Sequence, residues 1–298
     1  MAEMMTTREV AAYLRIKERK VYDLVRERRI PCSRVTGKWL FPRALIDLWV
    51  LKQSEGPVAG PPPAPAIVAG SHDPLLDYAL RESGSALALL PGGSLDGLAR
   101  LARREVMVAA LHVLDEDSGE YNLPMVRSAL DGRDMVAIEW ARRRQGLILP
   151  AGNPRGIEGL AGLVGAGPAG AGIRVVPRQQ GAGSQILFGV LLARAGIDGA
   201  DLEWIAPPAR NETDVGLAIQ EDRADAGLGL EAVAAQFRLA FVPLHEERLD
   251  LVLSRRDFFE PAFQDLLAFT RTPAFRDHAA TMGGYDIGAV GTVRYNAP

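Results

Sequence analysis

The chain has 298 residues, 48% hydrophobic and 24% charged, with 34 Lys/Arg against 37 Asp/Glu and a formal net charge of −3. That composition is ordinary for globular protein with room for two or three domains. No run is apolar and long enough to cross a bilayer, the N-terminus has no apolar signal core, and the single cysteine, Cys32, excludes an internal disulfide and any cysteine-cluster metal site. A cytoplasmic protein without membrane attachment is expected.

Thr6 and Glu9 have capping-box spacing, which satisfies orphan amides at a helix start. Val10, Ala11 and Leu14 then recur at helical period. After a turn at Arg15 and Ile16, Val21, Leu24 and Val25 repeat it on a segment crowded with Lys17, Arg19, Lys20, Arg26, Arg28 and Arg29. A helix apolar on one face and cationic on the other, following a first helix after a short turn, suits the DNA major groove. A small hairpin follows, turning at Gly37 with Lys38 and Trp39 near its tip, and a closing helix carries Trp49. Residues 1–55 hold 12 Lys/Arg against 7 Asp/Glu, including all four lysines, so a basic head of +5 precedes an acidic remainder of −8. Phosphate attraction depends on that local patch more than on total charge. The stretches TTREVAAYL, RIKERKVYDLVRERRIP and RVTGKWLFPRALIDLWV resemble the small winged helix-turn-helix domains of the excisionase and MerR-like families. For DNA the resemblance and the charge together nominate Lys17, Arg19, Lys20 and Tyr22 on the second helix and Arg34 and Lys38 on the wing. Cys32, beside Pro31, reads as a packing residue.

Residues 53–66, QSEGPVAGPPPAPA, carry five prolines and no periodicity. Such a segment stays extended at ~3.1 Å per residue, a spacer of up to about 40 Å. The expected domains are therefore residues 1–52, the linker 53–66, and a body spanning 67–298.

In the body, apolar strands alternate with helices: strand-like runs at 67–70, 86–92, 106–114, 134–140 and 145–150, then 173–179, 202–206 and 224–230. Helical patterns lie between them at 73–83, 94–105, 184–196 and 213–222. This alternation indicates parallel sheets covered by helices. Two series, joined near 145–155 and recrossed near 241–254, predict two lobes: one from about 67–145 and 248–298, the other from about 146–247. The stretch GIEGLAGLVGAGPAGAG (156–172) is read as one short helix and a flexible loop.

Three strand-to-helix turns, GSHDPLL (70–76), PGGSLDGLARL (91–101) and RQQGAGSQILF (178–188), each place glycine and serine at a helix start. Exposed amides and the positive end of the helix dipole receive anions there, and in open α/β sheets ligands sit beyond the strand ends where such turns lie. Serine also caps helices without any ligand. Three such turns on two lobes favour a shared cleft.

Together with AALHVLDEDSGEYNLP (109–124), ADAGLGLEA (224–232) and GGYD (283–286), these turns resemble the cytoplasmic relatives of periplasmic binding proteins, in particular the molybdate/tungstate-binding type, over residues 67–290. The resemblance implies a small helical winged helix-turn-helix domain fused to a two-lobe α/β domain of the type II periplasmic-binding-protein class, closing on its ligand by hinge motion. It implies ligand contacts from Ser71 and its neighbouring amides, from Ser94 with the Gly93 amide, and from Ser184 with Gly183 and Gln185. Arg178 would supply charge or brace its turn, and Asp225 and Tyr285 would support the cleft. At the third turn the chain departs from the compact Gly-Ser-Gly-Thr sequence of relatives, reading GAGSQ. The layout is that of a one-component bacterial transcription regulator: homodimeric, bound to operator DNA, and responsive to a small anion such as molybdate or tungstate. A small organic acid or other metabolite is the alternative signal, and a ligand-free DNA-bending or recombination accessory protein the alternative role.

Enzymatic readings find little support. The histidines (His72, His112, His245 and His278) are dispersed without metal-ligand spacing. Ser71 beside His72 lacks a nucleophile elbow, so His72 and His112 are read as shaping or polarising a binding site. DEDSGE (115–120) lacks the ligand periodicity of a calcium loop, and neither PGGS nor GAGS is followed by Lys-Ser or Lys-Thr. No catalytic residue, metal or cofactor is expected.

Overall fold

Why the first fifty residues fold together is visible in a computed structural model, which describes residues 4–35, 37–53, 63–164 and 172–297. Those residues fall into two compact units, one ending at Gln53 and one starting at Pro63. In the head, β1 (Met4–Thr6) leads into α1 (Thr7–Tyr13), α2 (Glu18–Arg26), β2 (Ser33–Val35), β3 (Lys38–Pro42) and α3 (Arg43–Lys52). The capping box forms as read, with the Glu9 amide donating to Thr6 Oγ1 and the Thr6 amide to Glu9 Oε2 at 2.7 Å. Val10, Ala11, Val21, Leu24 and Val25 pack with Phe41 and Ile46, and Trp49 closes this core by donating its indole N–H to Arg29 O at 2.6 Å. The strand β1, which pairs antiparallel with β3, was not anticipated: three residues are too short to show a period.

The body begins with β4 (Ile67–Gly70), α4 (Pro74–Glu82), β5 (Ala88–Pro91), α5 (Ser94–Ala102), β6 (Val108–Leu111) and α6 (Leu123–Ala129). It crosses over on β7 (Met135–Leu149) and continues through β8 (Arg174–Val176), α7 (Gly183–Arg194), β9 (Glu203–Trp204), α8 (Glu212–Gln220), β10 (Ala226–Leu230) and α9 (Glu231–Phe237). It returns on β11 (Ala240–Ser254) and ends with α10 (Arg255–Phe258), α11 (Pro261–Phe269), α12 (Pro273–Met282), β12 (Tyr285–Asp286) and β13 (Val293–Asn296). Residues 54–62 of the expected linker lie outside the described residues, while Ala64, near its end, is buried in the body core. The 156–172 stretch supplies a short 3₁₀ helix, Leu160–Leu163; most of its expected flexible loop, residues 165–171, also lies outside them.

The strand order is β5-β4-β6-β11-β7-β10-β8-β9, with β12 and β13 also pairing with β7. Neighbouring residues of one strand enter different cores: Val68 and Leu251 lie in one, Ala69 and Val252 in another. Leu147 and Ile148 divide in the same way between the two cores of the second lobe. A sheet covered on both faces produces the unbroken apolar runs that mark these strands.

The runs at 134–140 and 145–150 are one 15-residue strand, β7, paired along nearly its whole length with β11. The end of β11, Asp250–Leu253, pairs with β6, while β10 joins β7 at Gln145–Ile148. These two strands therefore carry the chain between lobes. Their middles are polar because they cross where the lobes meet.

Candidate ligand cleft and nucleic-acid face

In the head, the buried face of α2 leaves Lys17, Arg19, Lys20 and Tyr22 exposed, with Lys17 at the N-cap. Lys38 is exposed at the start of β3, and the Arg34 guanidinium lies 5.4 Å from the Trp39 ring centroid. Cys32 is half-buried, and burial raises its thiol pKa. That keeps it protonated and unreactive, in line with a packing role.

In the body, the three serines predicted at helix starts are all buried. Ser71 and Ser94 Oγ atoms are 2.8 Å apart, and Ser94 Oγ also accepts from the His112 amide at 3.3 Å. The third turn, from the other lobe, comes down on this group. A Cβ at Gly183 would stand 2.5 Å from His112 O and 2.9 Å from its ring, and the Leu95 amide donates to Gly181 O. Ser71, Gly93, Ser94 and His112 of the first lobe therefore meet Gly183 of the second, one residue before the buried Ser184. His72 lies beside them but faces outward, half-buried, on an interlobe groove of about 470 Å³ lined also by Tyr78, Arg81 and His278.

Several expected donors are already engaged. The Gly93 amide donates to Gly70 O and the Ser71 amide to Ala110 O, which ties the first two turns to their strands. Gln185 Oε1 accepts from the Arg178 amide at 2.7 Å, so this side chain holds its own turn. Arg178 braces that turn through a buried ion pair with Glu212, and Ser184 Oγ donates to the same carboxylate at 3.3 Å. Asp225 is a correction to the support role expected for it: it binds Arg174 and Arg155 at the start of β8 and β10, the strand end away from these turns. Tyr285 donates its hydroxyl to Asp73 Oδ2 at 2.7 Å, at the N-cap of α4 that follows the first turn.

Sequence reasoning missed a buried polar network on the crossing strands. Asp73, the N-cap of α4, accepts from the Leu76 amide, Trp140 Nε1, Arg143 Nη1 and Tyr285. Arg143 also donates to Glu247 Oε1, which receives Gln145 Nε2 at 3.0 Å, while Glu247 Oε2 lies 2.6 Å from His112 Nδ1. All of these but Tyr285 are almost wholly buried. The signal available in sequence was a pair of polar interruptions, ARRRQ and HEER, in two apolar strands; their register sets Arg143 opposite Glu247.

Burial opposes the charge of Glu247, but Arg143 and then His112 outweigh it and push its carboxyl down to about 2. The folded value lies below the ordinary one, so the stabilisation is present above about pH 4.5 and drains as pH falls toward 2. The urea-stability gap between wild type and Glu247→Gln is expected to narrow across that window; a gap independent of pH would contradict the assignment.

The glycine at 183 gives a second test. Ala at this position would press on backbone of the opposite lobe, so Gly183→Ala should destabilise the body by about 1–3 kcal/mol in urea unfolding. Gly189→Ala, on the same helix with nothing within 4 Å, should be neutral or stabilising. Equal effects would show that the interlobe contact does not matter.

A model of the PBP superfamily domain matches residues 77–271, and a helix-turn-helix domain model matches residues 4–54. The uncharacterized protein YvgK of Bacillus subtilis (strain 168) is 25% identical, over 97% of this chain and 96% of its own length. A substrate-binding protein with bound phosphate from Clostridium perfringens has a TM-score of 0.55 at 12% identity, covering 76% of this chain and 98% of that one. The sulfate-binding protein SubI from Mycobacterium tuberculosis H37Rv has 0.50 at 15% identity, covering 74% and 85%. At those identities the likeness is one of fold, and it agrees with a helix-turn-helix head ahead of a two-lobe α/β body.

Proposed function

This chain belongs to the PBP superfamily, and from that premise we propose that it is a ligand-responsive DNA-binding transcription regulator whose body senses a small oxyanion. The observation that carries the proposal is that the paired hydroxyls of Ser71 and Ser94, with Gly93 and His112, meet the Gly181–Gly183 turn of the other lobe that leads into Ser184, in a chain that begins with a helix-turn-helix. Hydroxyls and helix-end amides in a dry cleft hold a tetrahedral anion without a full counter-charge, consistent with the absence of lysine from the body. Superfamily proteins of similar fold bind phosphate and sulfate. Among oxyanions we favour molybdate or tungstate, on the sequence motifs of the cleft.

DNA is contacted by Arg19, Lys20 and Tyr22, with Lys17 at the helix start and Arg34 and Lys38 gripping the backbone from the wing. The protein acts as a homodimer on paired half-sites, and ligand acts through its better fit to the closed body. A second reading keeps the regulator and changes its signal. The groove of about 470 Å³ beside His72 is within the range of sites for organic ligands.

A thermal-shift screen of the full chain against molybdate, tungstate, sulfate, phosphate and small organic acids tests both readings. Selective stabilisation by molybdate and tungstate supports the first, and a response to organic acids alone supports the second. Ser94→Ala with Ser184→Ala should abolish the oxyanion response; full retention would remove the serines from the site. Silence from every compound would move the assignment to a ligand-free DNA-bending or recombination accessory protein.

A further inference from the structure

We propose that Glu247, on the strand connecting the two lobes, makes His112 the cation of the cleft: the carboxylate fixes the imidazole with its Nδ1–H inward and presents Nε2 to the anion, so that binding a dianion draws one proton from solvent onto Nε2. The first half of this inference stands on geometry alone. The second half rests on the oxyanion reading of the same cleft.

Glu247 is a carboxylate acceptor, so the 2.6 Å contact to His112 Nδ1 requires the proton on Nδ1. This is not a loose surface pair, for both side chains are almost wholly buried. Glu247 is in turn immobilised by Arg143 and Gln145 on the neighbouring strand. The residue is held on the cleft side as well: its backbone amide donates to Ser94 Oγ, and Gly183 of the other lobe lies against the ring.

The charges around the ring leave it as the unmatched site. On the hinge strands, Arg143 is shared between Glu247 and Asp73, and Asp73 also carries Tyr285. On the second lobe, Arg178 is matched by Glu212. Tyr121 and His245, hydrogen-bonded to each other at 2.9 Å, also lie near Glu247, with the at least partly exposed Arg194, Arg248 and Glu246 beyond them. Among the almost wholly buried of these groups, three carboxylates (Asp73, Glu212 and Glu247) thus face two arginines (Arg143 and Arg178). A protonated His112 restores the balance and places a charged donor where an incoming anion needs it, whereas both arginines are already committed to carboxylates.

The first readout is the imidazole ¹⁵N spectrum of the uniformly labelled full chain without added ligand at about pH 8, above the ordinary histidine pKa. Four histidines contribute, and His112 is assigned by the signals lost in His112→Gln. The expected result is the Nδ1–H tautomer for His112 in wild type and its loss in Glu247→Gln. An Nε2–H tautomer in wild type would overturn the positioning role, and needs no variant to fold. A purely structural Glu247 would lower stability without moving the tautomer.

The second readout is calorimetry with molybdate in buffers of different ionisation enthalpy. Proton uptake of up to one per site is expected, with affinity falling up to about tenfold per pH unit as pH is raised in wild type and flat in His112→Gln. Binding without proton uptake would overturn the charge role. An Nδ1–H tautomer together with no molybdate binding would uphold the positioning, overturn the proton uptake and count against the oxyanion reading itself.

Discussion

Arg143→Ala is expected to destabilise the body by about 3–5 kcal/mol, followed as loss of the native signal in urea. The guanidinium is 1% exposed and reaches Asp73 of the first lobe at 2.9 Å while also binding Glu247 of the return strand. Truncation leaves two carboxylates buried with a missing partner, and neither can be rehydrated without opening the place where the strands cross. Trp140 reports this directly, since its indole N–H donates to Asp73. The neighbouring Arg144 also forms an ion pair, with Glu231, but its side chain is 54% exposed. Arg144→Ala should therefore change stability by no more than about 1 kcal/mol. If the two variants proved equivalent, the polar crossing would be ornament and the apolar cores alone would hold the lobes together.

The contrast between these adjacent arginines marks where sequence stops being informative. IVAG, VMVAALHVL and ADAGLGL betray strands because their sheets are covered on both faces, and local composition records that burial. The serine-bearing turns were legible for a similar reason: glycine and serine at a strand-to-helix junction are a local requirement. Nothing local separates Arg143 from Arg142 or Arg144. Its partners lie 70 and 104 positions away, and His112 is 135 positions from Glu247. The same polar run hid the continuity of β7, because a charged segment between apolar runs resembles a loop until its partner strand is known. The Gly93 amide illustrates the converse limit. A helix-start amide suggests an open donor, yet this one is taken up by Gly70 O, a contact set by how α5 packs on β4.

In the head the DNA-facing surface follows from the pattern alone, so its test is correspondingly direct. Arg19→Ala combined with Lys20→Ala should weaken operator binding at least about 30-fold at physiological salt, from about 1–3 kcal/mol for each lost contact. Both side chains are exposed on α2, whose opposite face, Val21, Leu24 and Val25, is anchored in the head core, so their loss should leave folding intact. The dependence on salt separates the roles of the two residues. Where both bind phosphates, the slope of log affinity against log salt flattens by about 2. Where one reads a base edge, the slope falls by about 1 and discrimination among sequences relaxes at one position. The wing provides the comparison: Lys38→Ala should weaken all sequences alike by a smaller factor, since a wing that touches only backbone positions the head without reading sequence. Fluorescence anisotropy on operator and random duplexes at several salt concentrations measures all of these quantities. An unchanged affinity and slope in the double variant would take α2 out of the DNA groove. With it would go the regulator, leaving the two-lobe body behind a head of some other purpose.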